Sequence, residues 1–303
     1  MSHPASHRRA PGAQGRSRGR SRGLAIVAAL LALALAACSS DGDDQVSAAA
    51  DDSVPEAPTA TAPETTTTLP PAGRVPTEAE PLQVLLAGDS VMAGLAPAVT
   101  AGLESGGAAA STFTLTPALP HQGLDWVGWE ARLAELDPEV VVVLIGVWER
   151  TQVNLADPAF QAAYDAEVLD PFAQMVVDSG ARLVWVGMPG VPDATLSAEF
   201  TTLNAALAAQ AARWPDGEVT YVDGPAAVSA PDGTQPAIIP RTAGGVTRVR
   251  QIDGTHLCAD GSTLMARSVL GALQADWAVP LGSGWTTGAW RTGIGLPEQC
   301  PSP

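Results

Sequence analysis

The chain has 303 residues, and its 32 acidic residues outnumber its 16 basic ones to leave a net charge of −16 at neutral pH. Every basic residue is arginine and six of them precede Gly23, so the remainder is more acidic still. That balance excludes nucleic acid, whose phosphates require a basic face, and adsorption to anionic lipid by charge alone.

Met1 to Gly23 is basic and carries no acid, and Leu24 to Ala37 is an unbroken apolar run. The run is too short to span a bilayer comfortably. A basic segment, a short apolar segment and small residues at the cut describe an export signal over residues 1–37. Cys38 follows Leu35-Ala36-Ala37 directly, so the segment resembles a bacterial lipoprotein signal, which implies lipid on Cys38 as the mature N-terminus. An uncleaved membrane anchor is the alternative. Residues 38–80 are rich in Ser, Asp, Thr, Pro and Ala, with a run from Thr65 to Thr68. They cannot bury a core and are expected to form a disordered tether, with a reach of roughly 35 Å as a flexible coil.

The folded domain is expected over 81–281. Leu82 to Ala87 reads as a strand, Val91 to Leu103 as a helix and Ser111 to Thr116 as a second strand. Trp126 to Leu136 is a short helix. Val140 to Ile145 is a β-branched and leucine run, the mark of a strand buried on both faces. Pro158 to Ser179 is a long helix with a possible bend at Pro171. Leu183 to Val186 is a fourth strand, and Ser197 to Arg213 a helix with serine available at its start. Val219 to Val222 is a fifth strand, Pro225 to Arg250 is loop, and Ala259 to Trp277 is the closing helix. Strands and helices that alternate five times imply an α/β class, one doubly wound domain with a five-stranded, mainly parallel sheet.

Two short runs carry chemistry. Val84-Leu85-Leu86-Ala87-Gly88-Asp89-Ser90 puts a serine on the turn from strand one into helix one, at the carboxyl end of the sheet. Asp253-Gly254-Thr255-His256-Leu257 puts a carboxylate and an imidazole three residues apart before the last helix. A serine needs a base to take its proton, and the base needs an orienting partner. Read alone, Asp253-Gly254 is also a turn and His256 a polar residue near a helix start.

Gly88-Asp89-Ser90 together with Asp253 to His256, at opposite ends of a five-strand pattern, resembles the SGNH, or GDSL-like, hydrolases over residues 82–279. The resemblance implies a flavodoxin-like fold, Ser90 as nucleophile, His256 as general base and Asp253 as its orienting partner. It also implies an oxyanion hole built from the amide of Ser90 and a glycine after strand two, best matched by Gly123. The family's third donor is an asparagine in a Gly-x-Asn-Asp block. This chain reads Gly146-Val147-Trp148-Glu149 there, which leaves the indole of Trp148 as the expected substitute. The Trp-Glu pair looks like SGNH domains associated with membrane acyltransferases that O-acylate surface glycans, which implies such an acyltransferase as a partner. Asp89, His121, Trp126 and Glu149 are the expected substrate-binding residues, although His121 is equally readable as an exposed loop histidine and Gly123 as a bend.

Trp126, Trp129, Trp148, Trp285 and Trp290 fall on expected loops or edges of the catalytic face, where indoles can stack on sugar. Trp185 and Trp277 are assigned to the core. In an exported chain Cys258 and Cys300 form an even pair and a disulfide is the default; two free thiols are the alternative. Such a bond is expected to draw residues 282–303 across the mouth of the site. No metal-ligand spacing occurs, and nothing demands a metal or an organic cofactor. The expected activity is that of a serine esterase or O-acyltransferase on small acyl esters of envelope carbohydrate. The alternative is a surface lipoprotein that binds glycan without turnover.

Overall fold

A computed structural model describes residues 75–114, 126–152, 154, 156–241 and 244–303. The signal segment, Cys38, most of the tether, His121 and Gly123 lie outside these residues. None of the described helices is long and apolar enough to cross a membrane.

Five parallel strands form one sheet in the order β2-β1-β3-β4-β5. They are β1 (Gln83–Gly88), β2 (Ala109–Thr114), β3 (Val140–Leu144), β4 (Arg182–Val186) and β5 (Val219–Val222). All five residues of β3 are buried. Alternation along the strands sorts them into two cores. Val84, Leu86, Val140, Val142 and Leu144 face helices α1 (Ser90–Ser105) and α7 (Ala259–Trp277). Leu85, Ala87, Val141, Val143 and Ile145 face the other layer, built by α2 (Trp126–Leu136), α5 (Asp170–Asp178) and α6 (Ala194–Ala211). A central strand with helices on both sides has no wet face, so its sequence loses the polar alternation of a half-exposed strand.

The chain leaves β1 toward β2 and later returns to β3 on the other side of β1. The carboxyl ends of β1 and β3 therefore meet at the point where the winding reverses, the usual place for a ligand crevice in an open α/β sheet. Gly88 makes this meeting possible. A Cβ there would lie 2.0 Å from the Leu144 carbonyl oxygen and 2.7 Å from the Met92 Cβ. Only glycine lets the end of β1 pass so close to β3.

Three local features depart from the sequence reading. The expected single helix over Pro158 to Ser179 is two helices, α4 (Pro158–Tyr164) and α5, joined by a π-helical turn at Asp165–Leu169. Pro171 has no N–H to give and its ring crowds the carbonyl four residues back, so the deformation falls one turn upstream of the proline itself. The cap of α6 is Asp193, whose side chain accepts the Leu196 amide at 2.8 Å; the serine at position 197 lies inside the first turn. The stretch Pro225 to Arg250, expected as loop, holds a 3₁₀ turn (Pro225–Val228) and an antiparallel pair, β6 (Ile238–Pro240) and β7 (Val246–Arg248).

Trp185 and Trp277 are buried as expected. Trp129 is not on the catalytic face. It is buried between Phe113 and Phe172, with ring centroids 4.9 and 4.8 Å away and near-perpendicular planes. Edge-to-face stacking with one ring from β2 and one from α5 gives this indole a better berth than water does.

Candidate active site

Ser90 opens α1, directly after the end of β1. Its hydroxyl lies 2.9 Å from Nε2 of His256, and Nδ1 of His256 lies 2.6 Å from Oδ2 of Asp253. The other oxygen of Asp253 accepts the amides of Thr255 and His256 at 2.9 and 3.1 Å. Burial opposes ionisation of Asp253. The hydrogen bond from the His256 ring and the two amides outweigh it, and the carboxyl is held below the usual range. A carboxylate only accepts, so the ring nitrogen facing it carries the proton. Nε2 is then the acceptor, and the Ser90 hydroxyl donates to it. This is the polarity that general-base activation of a serine requires. Ser90 thus meets Asp253 and His256, more than 160 residues downstream, at the winding reversal of the sheet.

Asp89 sits beneath them, fully buried. The sequence places it at the substrate, but the structure spends both of its oxygens within the protein. Its Oδ1 caps α1 by accepting the Val91 amide at 2.8 Å, and its Oδ2 accepts the amides of Gly146 and Val147 at 3.1 and 2.9 Å. Its own amide donates to the Leu144 carbonyl. One carboxylate therefore bolts the turn after β1, which carries Ser90, to the turn after β3, which carries Trp148. Burial first, and then the charge of Glu149, push its pKa up to about 6 against the pull of those amides.

These residues lie within a stretch, 83–272, that fits the family described as DUF459, proteins of unknown function. The chain belongs to that family. No curated protein matches it in sequence. Among solved structures it is similar to the periplasmic domain of a lipopolysaccharide acetyltransferase from Salmonella ser. Paratyphi A, at 14% identity over 64% of this chain and 84% of that one, with a TM-score of 0.47. It is also similar to a GDSL-like lipase from Bacteroides thetaiotaomicron, at 12% identity over 64% and 88% of the two chains, with a TM-score of 0.42. The five-stranded parallel sheet of this DUF459 protein is the one that the SGNH resemblance implies.

Glu149, also expected at the substrate, is fully buried. It opens the short helix α3 (Glu149–Gln152), and its charge bears on both Asp89 and the buried phenol of Tyr164, whose pKa is raised well above the ordinary value first by burial and then by Glu149. It belongs to the floor under the site. Trp148 is partly exposed at the carboxyl end of β3, and Trp126 is the first residue of α2.

The amide of Ser90 belongs to the first turn of α1, one of the N–H groups that a helix leaves without an internal acceptor. The 16-residue helix adds partial positive charge at that end. An oxyanion formed on an ester at Ser90 would meet both.

The loop that carries Asp253 and His256 is braced on three sides. Within it, the Gln251 amide donates to the His256 carbonyl at 2.8 Å and the Cys258 amide to the Val249 carbonyl at 3.0 Å. Gly261 lets α7 press on the same segment, since a Cβ there would meet the Val249 oxygen at 2.1 Å. Beneath it, the fully buried guanidinium of Arg250 donates to the carbonyls of Gly190, Val228 and Pro236 and to Oε1 of Gln235. Burial lowers its pKa to about 10, so it is charged throughout the physiological range and its acceptors answer that charge. Nothing in the sequence around Val249-Arg250 announces this role.

The third brace is the tail. Cys258 and Cys300 are bonded. The tail does not form a wall across the mouth. Its amide at Gly282 donates to the Ser105 hydroxyl at the far end of α1, and Trp285 and Trp290 then pack against the α1–α7 core. The indole N–H of Trp290 is spent on the Trp285 carbonyl. The tail ends against the loop that carries Asp253 and His256, where Ile252 donates to the Gln299 carbonyl at 2.9 Å and Arg248 to the Pro301 carbonyl at 2.7 Å. Apolar indole surface found a core to cover, which is why it did not stay at the mouth. Closing a 42-residue loop would stabilise the fold by about 4 kcal/mol on the chain-entropy estimate.

Proposed function

We propose that this chain is a serine esterase or O-acyltransferase of SGNH type. The connected Ser90–His256–Asp253 chain of hydrogen bonds carries this reading. Ser90 attacks the carbonyl carbon of a small acyl ester while His256 takes its proton at Nε2. Asp253 holds the imidazole and answers the imidazolium charge. The tetrahedral oxyanion lies against the Ser90 amide and the start of α1, with Gly123 and Trp148 as the further donors. Collapse expels the alcohol, which leaves with the proton from His256, and leaves an acyl group on Ser90. Water or a sugar hydroxyl then attacks the acyl carbon with His256 again as base. Loss of one oxyanion donor typically costs about 100- to 1,000-fold in rate, so replacement of the family's asparagine by Trp148 slows such a site without silencing it.

The substrate class we favour is an acylated carbohydrate of the cell envelope, reached by an exported chain held to the membrane through lipid on Cys38. The signal-like residues 1–37 and the acidic, Thr- and Pro-rich stretch after them support that placement, and a membrane acyltransferase is the partner that would supply or share acyl groups. Metabolic labelling with an alkyne fatty acid tests it: the full chain takes up label, and Cys38→Ser takes up none. Equal labelling of the two, or no labelling of either, removes the anchor.

The activity is tested with a fluorophosphonate probe and p-nitrophenyl acetate. Wild type labels and turns over; Ser90→Ala does neither. If wild type and Ser90→Ala behave alike, the chain is a binding protein. That rival is weakened by the fate of its proposed tryptophan platform, since Trp129 is buried and Trp290 is bonded within the tail.

A further inference from the structure

Beside the first turns of α7 lies a cavity of about 350 Å3. None of Ser90, Asp253 or His256 lines it. Its walls include Ile239 of β6, Arg241, Thr247 of β7, and Asp260, Thr263 and Arg267 of α7. The volume lies in the range of small-molecule sites.

Its charge runs against that of the chain. Beyond the signal segment only ten arginines stand against 32 acidic residues. Of those ten, Arg241 and Arg267 line this cavity, where Asp260 is the one acid.

The one carboxylate in the cavity wall is already answered. Asp260 accepts the Thr247 hydroxyl on one oxygen and the Arg291 guanidinium on the other. Arg291 is itself fixed by the Thr263 hydroxyl at 2.8 Å and lies over the Trp290 ring. Arg241 is near enough to favour the charged form of Asp260 without pairing to it. Arg241 and Arg267 are both exposed, and among the described residues neither guanidinium has a hydrogen-bond or ion-pair partner. Two unpaired forks thus face one pocket, over a Thr247–Asp260–Arg291 triplet that fixes the pocket's wall. Guanidinium forks match the oxygens of phosphate and carboxylate.

We propose that this cavity binds a small molecule bearing a phosphate or carboxylate group, held by Arg241 and Arg267. The alkyl wall at Ile239 packs the body of the ligand while its oxyanion takes the two forks. The site is independent of the triad, so the two stand or fall separately.

Titration calorimetry on the folded chain tests it with three probes: inorganic phosphate, glucose 6-phosphate and glucuronate, each against chloride at matched ionic strength. Saturable binding of at least one probe is expected, unchanged in Ser90→Ala. Preference for glucose 6-phosphate over glucuronate assigns a phosphate; the reverse assigns a carboxylate. The double variant Arg241→Gln with Arg267→Gln is expected to bind at least about tenfold more weakly, the loss of one charge-assisted pair or more. Both side chains are exposed, so the variant folds, and its thermal unfolding without ligand is expected to match wild type. No saturable heat with any probe, or equal affinity in wild type and the double variant, overturns the proposal.

Discussion

Asp253→Asn is expected to lower kcat for the proposed ester turnover by about four orders of magnitude, the size of the effect when the orienting carboxylate of a serine triad becomes an amide. The geometry here gives the reason. Oδ1 of Asp253 accepts two amides and Oδ2 faces Nδ1 of His256. An asparagine can keep the amides only by turning its NH2 toward the ring. A donor there forces Nδ1 to be the bare nitrogen and moves the ring proton to Nε2, which then meets the Ser90 hydroxyl as a donor instead of a base. The opposite rotamer sets NH2 against two backbone N–H groups and loosens the turn. Either way the nucleophile loses its base.

Binding of the ester does not use Asp253, so KM moves little. The fold also survives, because the side chain is 46% exposed and the exchange is isosteric. The pH response separates the two roles. Asp253 is held below its ordinary pKa, so its stabilising contribution is present above that ordinary value and is lost as pH falls through the lowered one. The acid limb of the wild-type stability curve should therefore be slightly steeper than that of the variant. Steady-state kinetics with p-nitrophenyl acetate and a thermal melt check both halves. A variant within tenfold of the wild-type kcat would mean that the imidazole is oriented by something else.

The sequence carried the triad because each piece of it is local. Ser90 follows a strand and opens a helix, and Asp253 and His256 share one turn, so short-range rules reach all three. The doubly wound sheet was legible for the same reason, since Val140 to Leu144 reads as a strand buried on both sides from its composition alone. What was not legible depends on partners far away in the chain. The second oxygen of Asp89 bonds amides 57 and 58 residues downstream, although its capping oxygen sits where a helix cap is expected. Arg250 finds its acceptors in loops 14 to 60 residues upstream. Trp129 was placed at a surface because a tryptophan near a loop looks available; Phe113 and Phe172, from two other elements, enclose it. Strands β6 and β7 have three residues each, too few to show any period.

Asp89→Asn is expected to give the second large effect, and its size depends on pH. The carboxylate accepts three buried amides with two oxygens. An asparagine has one carbonyl, so at least one amide faces an NH2 group, and a buried donor left unsatisfied costs about 1–3 kcal/mol. Against this, the native carboxylate is itself ionised at a cost. Its pKa is raised from 3.8 to about 6 by burial and by Glu149. A raised acid stabilises the fold fully below the ordinary pKa, and that contribution fades as pH climbs through about 6. The shift corresponds to about 3 kcal/mol, of the same order as the lost bonds. The advantage of wild type over Asp89→Asn in urea unfolding is therefore expected to be greatest below pH 4 and to shrink by up to about 3 kcal/mol by pH 7. Activity should not recover in parallel. The bolt between the turns after β1 and β3 is weakened at every pH, and a nucleophile displaced by about an ångström loses on the order of 100-fold in kcat. Stability that converges with wild type at neutral pH while kcat stays low would show that Asp89 serves the geometry of Ser90 at the expense of the fold. A stability difference that grows with pH would instead mean that the three amides, and not burial, govern this carboxylate.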